Sequence, residues 1–167
     1  LGPILSFLSI NQYAKNFIFI VIGVDRYMDI IESNAKKYLK TLNIHVLKSS
    51  KYKNYSLKYS DFAIAVSGTI SLELALCKIP LIVVYKLNFI SFFFVKKLVR
   101  VKYISLANII LNKKIIPELI QHDFCFNNFN IEFINLINKS KNRNKQIKMF
   151  KKLNNLLEPN SHGSKSI

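Results

Sequence analysis

Ser67, Gly68 and Thr69, with Glu73 one helical turn further on, are the residues best suited to chemistry in this sequence. They follow a short apolar run, Phe62–Val66, and open a stretch that reads as a helix from Thr69 to about Lys78. A buried strand, a tight turn and a helix start bring unpaired N–H groups and the positive end of the helix dipole to one spot, with Ser and Thr hydroxyls beside it. That combination is a cradle for phosphate. Gly68 lets the main chain come close to an anion, and the Glu73 carboxylate can accept two hydrogen bonds from a ribose diol. The same residues also fit an ordinary helix start, with Ser67 or Thr69 as the cap and Glu73 in a capping-box-like role. Spacing alone leaves both readings open, and the two roles are compatible.

Other reactive groups are less promising. His45 lies within a short strand, His122 follows a helical segment and His162 is in the tail. None has a carboxylate partner at a recognisable spacing, so each reads as structural or solvated rather than as a general base. Cys77 and Cys125 sit among apolar neighbours and are expected to be buried, reduced thiols; no zinc-ligand spacing exists, and neither a metal nor a cofactor is expected. The formal charge of +16 comes mostly from 22 lysines, and Ile, Lys and Asn make up 64 of the 167 residues. Those three residue types have AT-rich codons, so the basicity is weak evidence for an anionic partner. A protein reading base edges would use more Arg than Arg26, Arg100 and Arg143. Nucleic acid is therefore not an expected partner.

The elements that would position these residues alternate. Phe17–Gly23 is an apolar, β-branched run closed by Gly, which fits a parallel strand buried on both faces. A helix is expected from Asp25 to about Leu39, a strand over Asn43–Leu47, a short helix over Tyr52–Tyr59, a strand over Phe62–Val66 and another over Pro80–Tyr85. This predicts an α/β fold, a Rossmann-like doubly wound parallel sheet with right-handed crossovers and extra C-terminal helices. Downstream, Phe89–Val101 reads as helix, Tyr103–Leu106 as a brief strand or extended loop, and Ile116–Gln121 as the start of a helix. Asn127–Asn130 reads as a loop before helices near Ile131–Asn138 and Lys141–Leu157. The chain opens with helical residues from Pro3 onward, which leads us to expect a strand upstream of Leu1. No secretory leader is recognisable at Leu1–Ile10, and no apolar run reaches the roughly 18–20 residues of a spanning helix.

Four stretches, taken in order, carry a resemblance. They are Ser67-Gly-Thr-x-x-Leu-Glu73, Pro80-Leu-Ile-Val-Val-Tyr85-Lys86, Tyr103-Ile-Ser-Leu-Ala-Asn108 and Pro117-Glu-Leu-Ile-Gln121. Over about Ser60–Gln121 the sequence resembles the lipid-A-disaccharide synthase family, whose matching motifs run SGTxxLE, P-h-h-h-x-Y-[KR], Y-[IV]-S-L-P-N and P-E-L-h-Q, where h is apolar. The resemblance implies the carboxyl-terminal, donor-nucleotide half of a two-domain GT-B glycosyltransferase. It further implies transfer of 2,3-diacylglucosamine from UDP-2,3-diacylglucosamine to 2,3-diacylglucosamine 1-phosphate, giving a β-1,6 disaccharide and UDP; the alternatives are another UDP-sugar enzyme of the GT-B fold, or a non-catalytic nucleotide- or membrane-binding remnant of a split gene. Carried over by residue, Ser67, Gly68 and Thr69 would hold the pyrophosphate, Glu73 the ribose, and Asn108, Glu118 and Gln121 would belong to the donor pocket. Lys86 ends a strand on the same sheet edge, where it is either a cation for the phosphates or simply solvated. On this reading residues 1–125 form the UDP-sugar domain, 126–158 the C-terminal helices and 159–167 a frayed tail. The family's glycine-rich phosphate loop and its basic residue would lie just upstream of Leu1, in the same UDP-sugar domain, while the general base and much of the acyl-chain site would belong to a missing N-terminal domain, leaving this chain alone inactive. Ala107 stands where the family usually has proline.

Asn88–Lys102 suggests a further partner. On a helical wheel Phe94, Val95, Leu98 and Val99 form an apolar stripe, while Phe89 and Phe93 emerge among Lys96, Lys97 and Arg100. Aromatic rings projecting through a basic face suit an anionic bilayer. They suit equally well packing against the missing domain or another subunit of a homodimer. The resemblance favours the bilayer, since it implies acylated substrates made at the cytoplasmic face of the inner membrane and a peripheral location there.

Overall fold

The computed structural model describes residues 1–66, 68–86, 102–138 and 140–157. The chain divides into two compact units, 1–60 and 61–167. In both, the strands pair in parallel and helices flank them, so the expected α/β class is borne out.

The first unit runs α1 (Gly2–Ser9), β1 (Ile18–Gly23), α2 (Met28–Lys36), β2 (Asn43–Lys48) and α3 (Ser49–Tyr59), with 3-10 turns at Ala14–Asn16 and Asp25–Tyr27. Pro3 sits in the first turn of α1, where its missing N–H costs nothing. β1 pairs with β2 from Ile18 opposite Asn43 to Gly23 opposite Lys48. Ile4, Leu5, Leu8, Ala14, Met28, Ala35, Leu42 and Ile44 are buried. One expectation fails here. β1 is not buried on both faces, because Ile18 is 65% and Ile20 45% exposed. Their alternate positions put both on one face of a strand whose partner among the described residues is β2 alone. In the segment that follows β1, Tyr27 and Ile30 are exposed, while Met28 and Ala35 are buried.

The second unit runs β3 (Ala63–Ala65), α4 (Gly68–Leu76), β4 (Leu81–Tyr85), α5 (Leu106–Ile110), β5 (Glu118–Ile120), α6 (Phe126–Ile137) and α7 (Lys141–Leu157). Its sheet has the order β3-β4-β5, with Ala65 opposite Val83 and Tyr85 opposite Ile120. The central strand β4 is almost wholly buried from Leu81 to Val84, as its unbroken apolar run requires. α4 packs on β3 and β4, α6 packs on β4, and α7 packs on α4 and α6. Phe129 and Phe133 stack with their centroids 6.0 Å apart, and the edge-to-face contact of Phe133 with Phe62 spans 5.9 Å. The α7 helix also reaches the sheet through a polar group: the buried Gln146 Oε1 accepts the Leu81 N–H at 2.9 Å.

Three expectations for this unit are corrected. Ile116–Gln121 does not begin a helix. Glu118–Ile120 is strand β5, completing the ladder of β4, and a 3-10 turn follows at Gln121–Asp123. Asn127–Asn130 is no loop but lies within α6, whose Phe126, Phe129, Phe133 and Leu136 recur at helical spacing and outweigh the poor helix propensity of Asn. Cys77 and Cys125 are free thiols, as expected, but both are exposed. Cys77 lies just beyond the end of α4 and Cys125 at the N-cap of α6, so neither occupies an inward helical position. The helix expected over Phe89–Val101 lies outside the described residues.

Candidate functional site

Strands of a parallel sheet end at a common edge, and in α/β folds ligands bind there. In the second unit the edge is marked by Ala65, Tyr85 and Ile120. Residues that immediately follow these ends are therefore brought together by topology. α4 begins at Gly68, three residues beyond the end of β3, so its first N–H groups start at this edge; Thr69 is exposed there. Lys86 directly follows Tyr85 and is exposed. Gln121 directly follows Ile120, with a left-handed φ of 52°. Such a conformation is uncommon outside glycine and costs about 1 kcal/mol or more, so the surrounding structure must hold it. Glu73 lies one turn into α4 and is half-buried. Ser67 lies outside the described residues, as do Phe89, Phe93, Lys96, Lys97 and Arg100.

Asn108 and Glu118 belong to a different place. Both are buried, and they bond to each other, the Asn108 Nδ2 donating to the Glu118 Oε1 at 2.9 Å. The Asn108 side chain makes three further bonds: Nδ2 donates to the Ile116 carbonyl, and Oδ1 accepts the N–H groups of Ile115 and Ile116, each at 2.9 Å. Glu118 receives three more donors. The Ser105 N–H and hydroxyl reach Oε1 at 2.9 and 2.8 Å, and the Ile104 N–H reaches Oε2 at 3.0 Å. Four converging donors suit an acceptor-only carboxylate. Ser105 is the participant that motif reading missed. The available signal was its position before Leu106–Ile110, since a Ser ahead of an apolar run marks a helix start. Here the hydroxyl caps nothing in α5 because it is committed to Glu118.

At the corresponding edge of the first unit, Asp25 lies just after β1 and Ser50 in the first turn of α3. The Ser50 hydroxyl donates to the Asp25 carboxylate at 2.6 Å, which holds that carboxyl below the usual aspartate value. A shallow cavity of about 510 Å³ lies at the opposite edge, where β2 begins, lined by Lys15, Lys40 and Asn43 among others. It is remote from the strand ends that collect ligands in such folds. Among the described residues no group of three His, Cys, Asp or Glu side chains is placed to hold a metal ion, and no helix is long and apolar enough to cross a membrane. His45 and His122 are both exposed.

A family model described as Lipid-A-disaccharide synthetase matches residues 5–167. The lipid-A-disaccharide synthase of Wigglesworthia glossinidia brevipalpis is 32% identical over 165 residues, covering 91% of this chain and 43% of that protein. That of Rickettsia conorii is 39% identical over 117 residues, or 70% of this chain and 26% of the relative. That of Rickettsia canadensis is 45% identical over 89 residues, or 53% and 23%. The chain thus spans less than half the length of these relatives. From the match across nearly its whole length, and from the parallel α/β architecture beneath it, the chain belongs to the lipid-A-disaccharide synthase family of glycosyltransferases.

Proposed function

We propose that this chain binds the donor nucleotide for lipid A disaccharide formation, with UDP-2,3-diacylglucosamine as donor and 2,3-diacylglucosamine 1-phosphate as acceptor. The observation that carries the reading is the start of α4 at Gly68–Thr69, on the carboxyl edge of a parallel sheet whose strands β4 and β5 lead directly into Lys86 and Gln121. Ser67, Gly68 and Thr69 cradle the pyrophosphate, Glu73 takes the ribose diol, and Lys86 supplies a cation near the phosphates. As the glycosidic bond breaks, negative charge develops on the leaving UDP. Oriented N–H groups and a fixed cation stabilise that charge without reorganising. The acceptor hydroxyl needs a general base, and no histidine of the sequence has a carboxylate partner at a spacing that would make it one. We assign the base and the acyl-chain site to the part of the relatives that this chain does not cover, so that the chain alone binds UDP but forms no disaccharide. Phe89, Phe93, Lys96, Lys97 and Arg100 are assigned to a peripheral contact with an anionic membrane.

Titration calorimetry tests the donor site. UDP is expected to bind the chain, and Gly68→Val and Glu73→Ala are each expected to weaken it at least tenfold, since each removes a close approach or a paired hydroxyl contact. Unchanged affinity in both variants would overturn the assignment. For the membrane contact, undiminished co-sedimentation of Phe89→Ser/Phe93→Ser with vesicles rich in anionic lipid would do the same.

A further inference from the structure

The residues that the family motifs assign to the donor pocket separate into a group at the sheet edge, exposed at Thr69 and Lys86 and half-buried at Glu73 and Gln121, and a buried group beneath it. Asn108 uses both amide hydrogens and its carbonyl oxygen on Glu118, Ile115 and Ile116, and Glu118 is surrounded by the donors of Ile104, Ser105 and Asn108. From this we infer that Glu118, Asn108 and Ser105 are positioning residues: a buried clasp that sets the phosphate cradle without touching the nucleotide. The inference rests on the donor-site reading above.

The mechanical path is short. Glu118 is the first residue of β5, so the clasp grips a strand whose other end, two residues on, is Ile120 at the edge. Gln121 follows in its left-handed conformation. On the other side the clasp holds Ser105 and Asn108, which bracket the first turn of α5, and α5 packs against α4. β5 and α4 are thereby tied to one buried carboxylate. A five-residue helix has little stability of its own, so α5 keeps its place through these side-chain bonds. Removing a partner leaves buried donors or acceptors unpaired, which is far more disruptive than losing a surface contact. Position 118 thus needs a charge that only accepts, and position 108 an amide that donates and accepts. Asp at position 108 or Gln at position 118 keeps the shape and breaks the match.

The test compares the unaltered chain with Glu118→Gln and with the milder Ser105→Ala, which retains the backbone N–H bond to Glu118. UDP and uridine are titrated by calorimetry well below the unfolding temperature, and amide hydrogen exchange is followed at Ile104, Ser105, Ile115 and Ile116 and in the first turn of α4. A clasp that positions the cradle gives Glu118→Gln an affinity for UDP lower by about tenfold and for uridine changed by less than about twofold, with faster exchange both at the clasp and at Thr69–Ser71; Ser105→Ala shifts both readouts the same way, by roughly threefold. General destabilisation would lower both affinities alike. Faster exchange confined to the clasp, with the Thr69–Ser71 amides unmoved, overturns the proposal. So does a loss of UDP affinity without any change in exchange, since that is the mark of direct contact. If the unaltered chain fails to bind UDP, the donor reading falls, and the exchange at Thr69–Ser71 still decides the coupling of clasp to cradle.

Discussion

Replacing Asn108 by Asp changes one nitrogen to oxygen and almost no volume, yet the buried clasp turns that exchange into a large, pH-dependent effect. The new oxygen faces the Glu118 Oε1 and the Ile116 carbonyl, each 2.9 Å from the original Nδ2. If both carboxylates stayed ionised, their repulsion at that distance would be about 6 kcal/mol at an effective dielectric constant near 20. Taking up one proton at pH 7 costs less, about 4 kcal/mol, from roughly three pH units above an ordinary carboxylate pKa. Protonation therefore wins, and the shared proton restores the link between the two side chains. The Ile116 carbonyl still loses its donor, adding roughly 1 kcal/mol at every pH. The sign follows from linkage: the folded variant holds a proton that its unfolded chain has released, so its stability relative to the parent rises as pH falls. The expected deficit is about 5 kcal/mol at pH 7 and about 2 kcal/mol at pH 5. Urea unfolding of parent and variant at both pH values, read by circular dichroism, measures it. A parent less stable than the pH 7 deficit gives a variant that is unfolded at pH 7 and folds on acidification, which the same titration reads. A deficit under about 0.5 kcal/mol at both pH values, or one that does not shrink on acidification, would refute the clasp.

Three further outcomes are expected. Gln146→Leu keeps the apolar bulk but leaves the buried Leu81 N–H without its acceptor, which should cost about 1–3 kcal/mol and lower Tm by about 2–10 °C in a thermal melt. Phe133→Ala removes a fully buried ring that stacks on Phe129 and meets Phe62 edge-on, and should cost about 3–5 kcal/mol by urea denaturation. Ser50→Ala should raise the Asp25 carboxyl midpoint toward the unperturbed value of 3.8, as read from carbon chemical shifts. Because that midpoint is depressed in the folded parent, its stabilising effect is present above pH 4 or so and is lost as pH falls through the folded value, so the variant should match the parent's pH dependence except in acid.

The parts of the fold legible in the sequence were those where pattern and environment agree. Pro80–Tyr85 is uniformly apolar because β4 is enclosed, and the start of α4 was readable because a cap and an anion cradle use the same residue types. Glu118 shows why the rest was harder. Pro117 followed by an acidic residue is a helix-start signal, but the carboxylate is spent on Ile104, Ser105 and Asn108, and β4 offers a ladder that a helix would leave empty. The Ser105 hydroxyl misleads in the same way, pairing with a residue 13 positions away that no local rule connects to it. The candidate site was legible as motifs, but which motif residues reach the sheet edge and which are consumed beneath it depends on long-range hydrogen bonds. In α6 the aromatic stripe was present at helical spacing, and the intervening asparagines obscured it.

The bond from Gln146 to Leu81 has a consequence for the order in which the molecule is made. The acceptor for the first N–H of the central strand is encoded 65 residues after the donor, so at about 5–20 residues per second the ribosome supplies it some 3–13 seconds later. During that interval α4 and α6 lack the helix that packs on them, and the apolar surface they leave uncovered is a target for chaperones or for another nascent chain. Transcripts cut short before the last helix would yield a protein held in that unfinished state, with the Leu81 N–H lacking its acceptor and the faces of α4 and α6 that meet α7 uncovered.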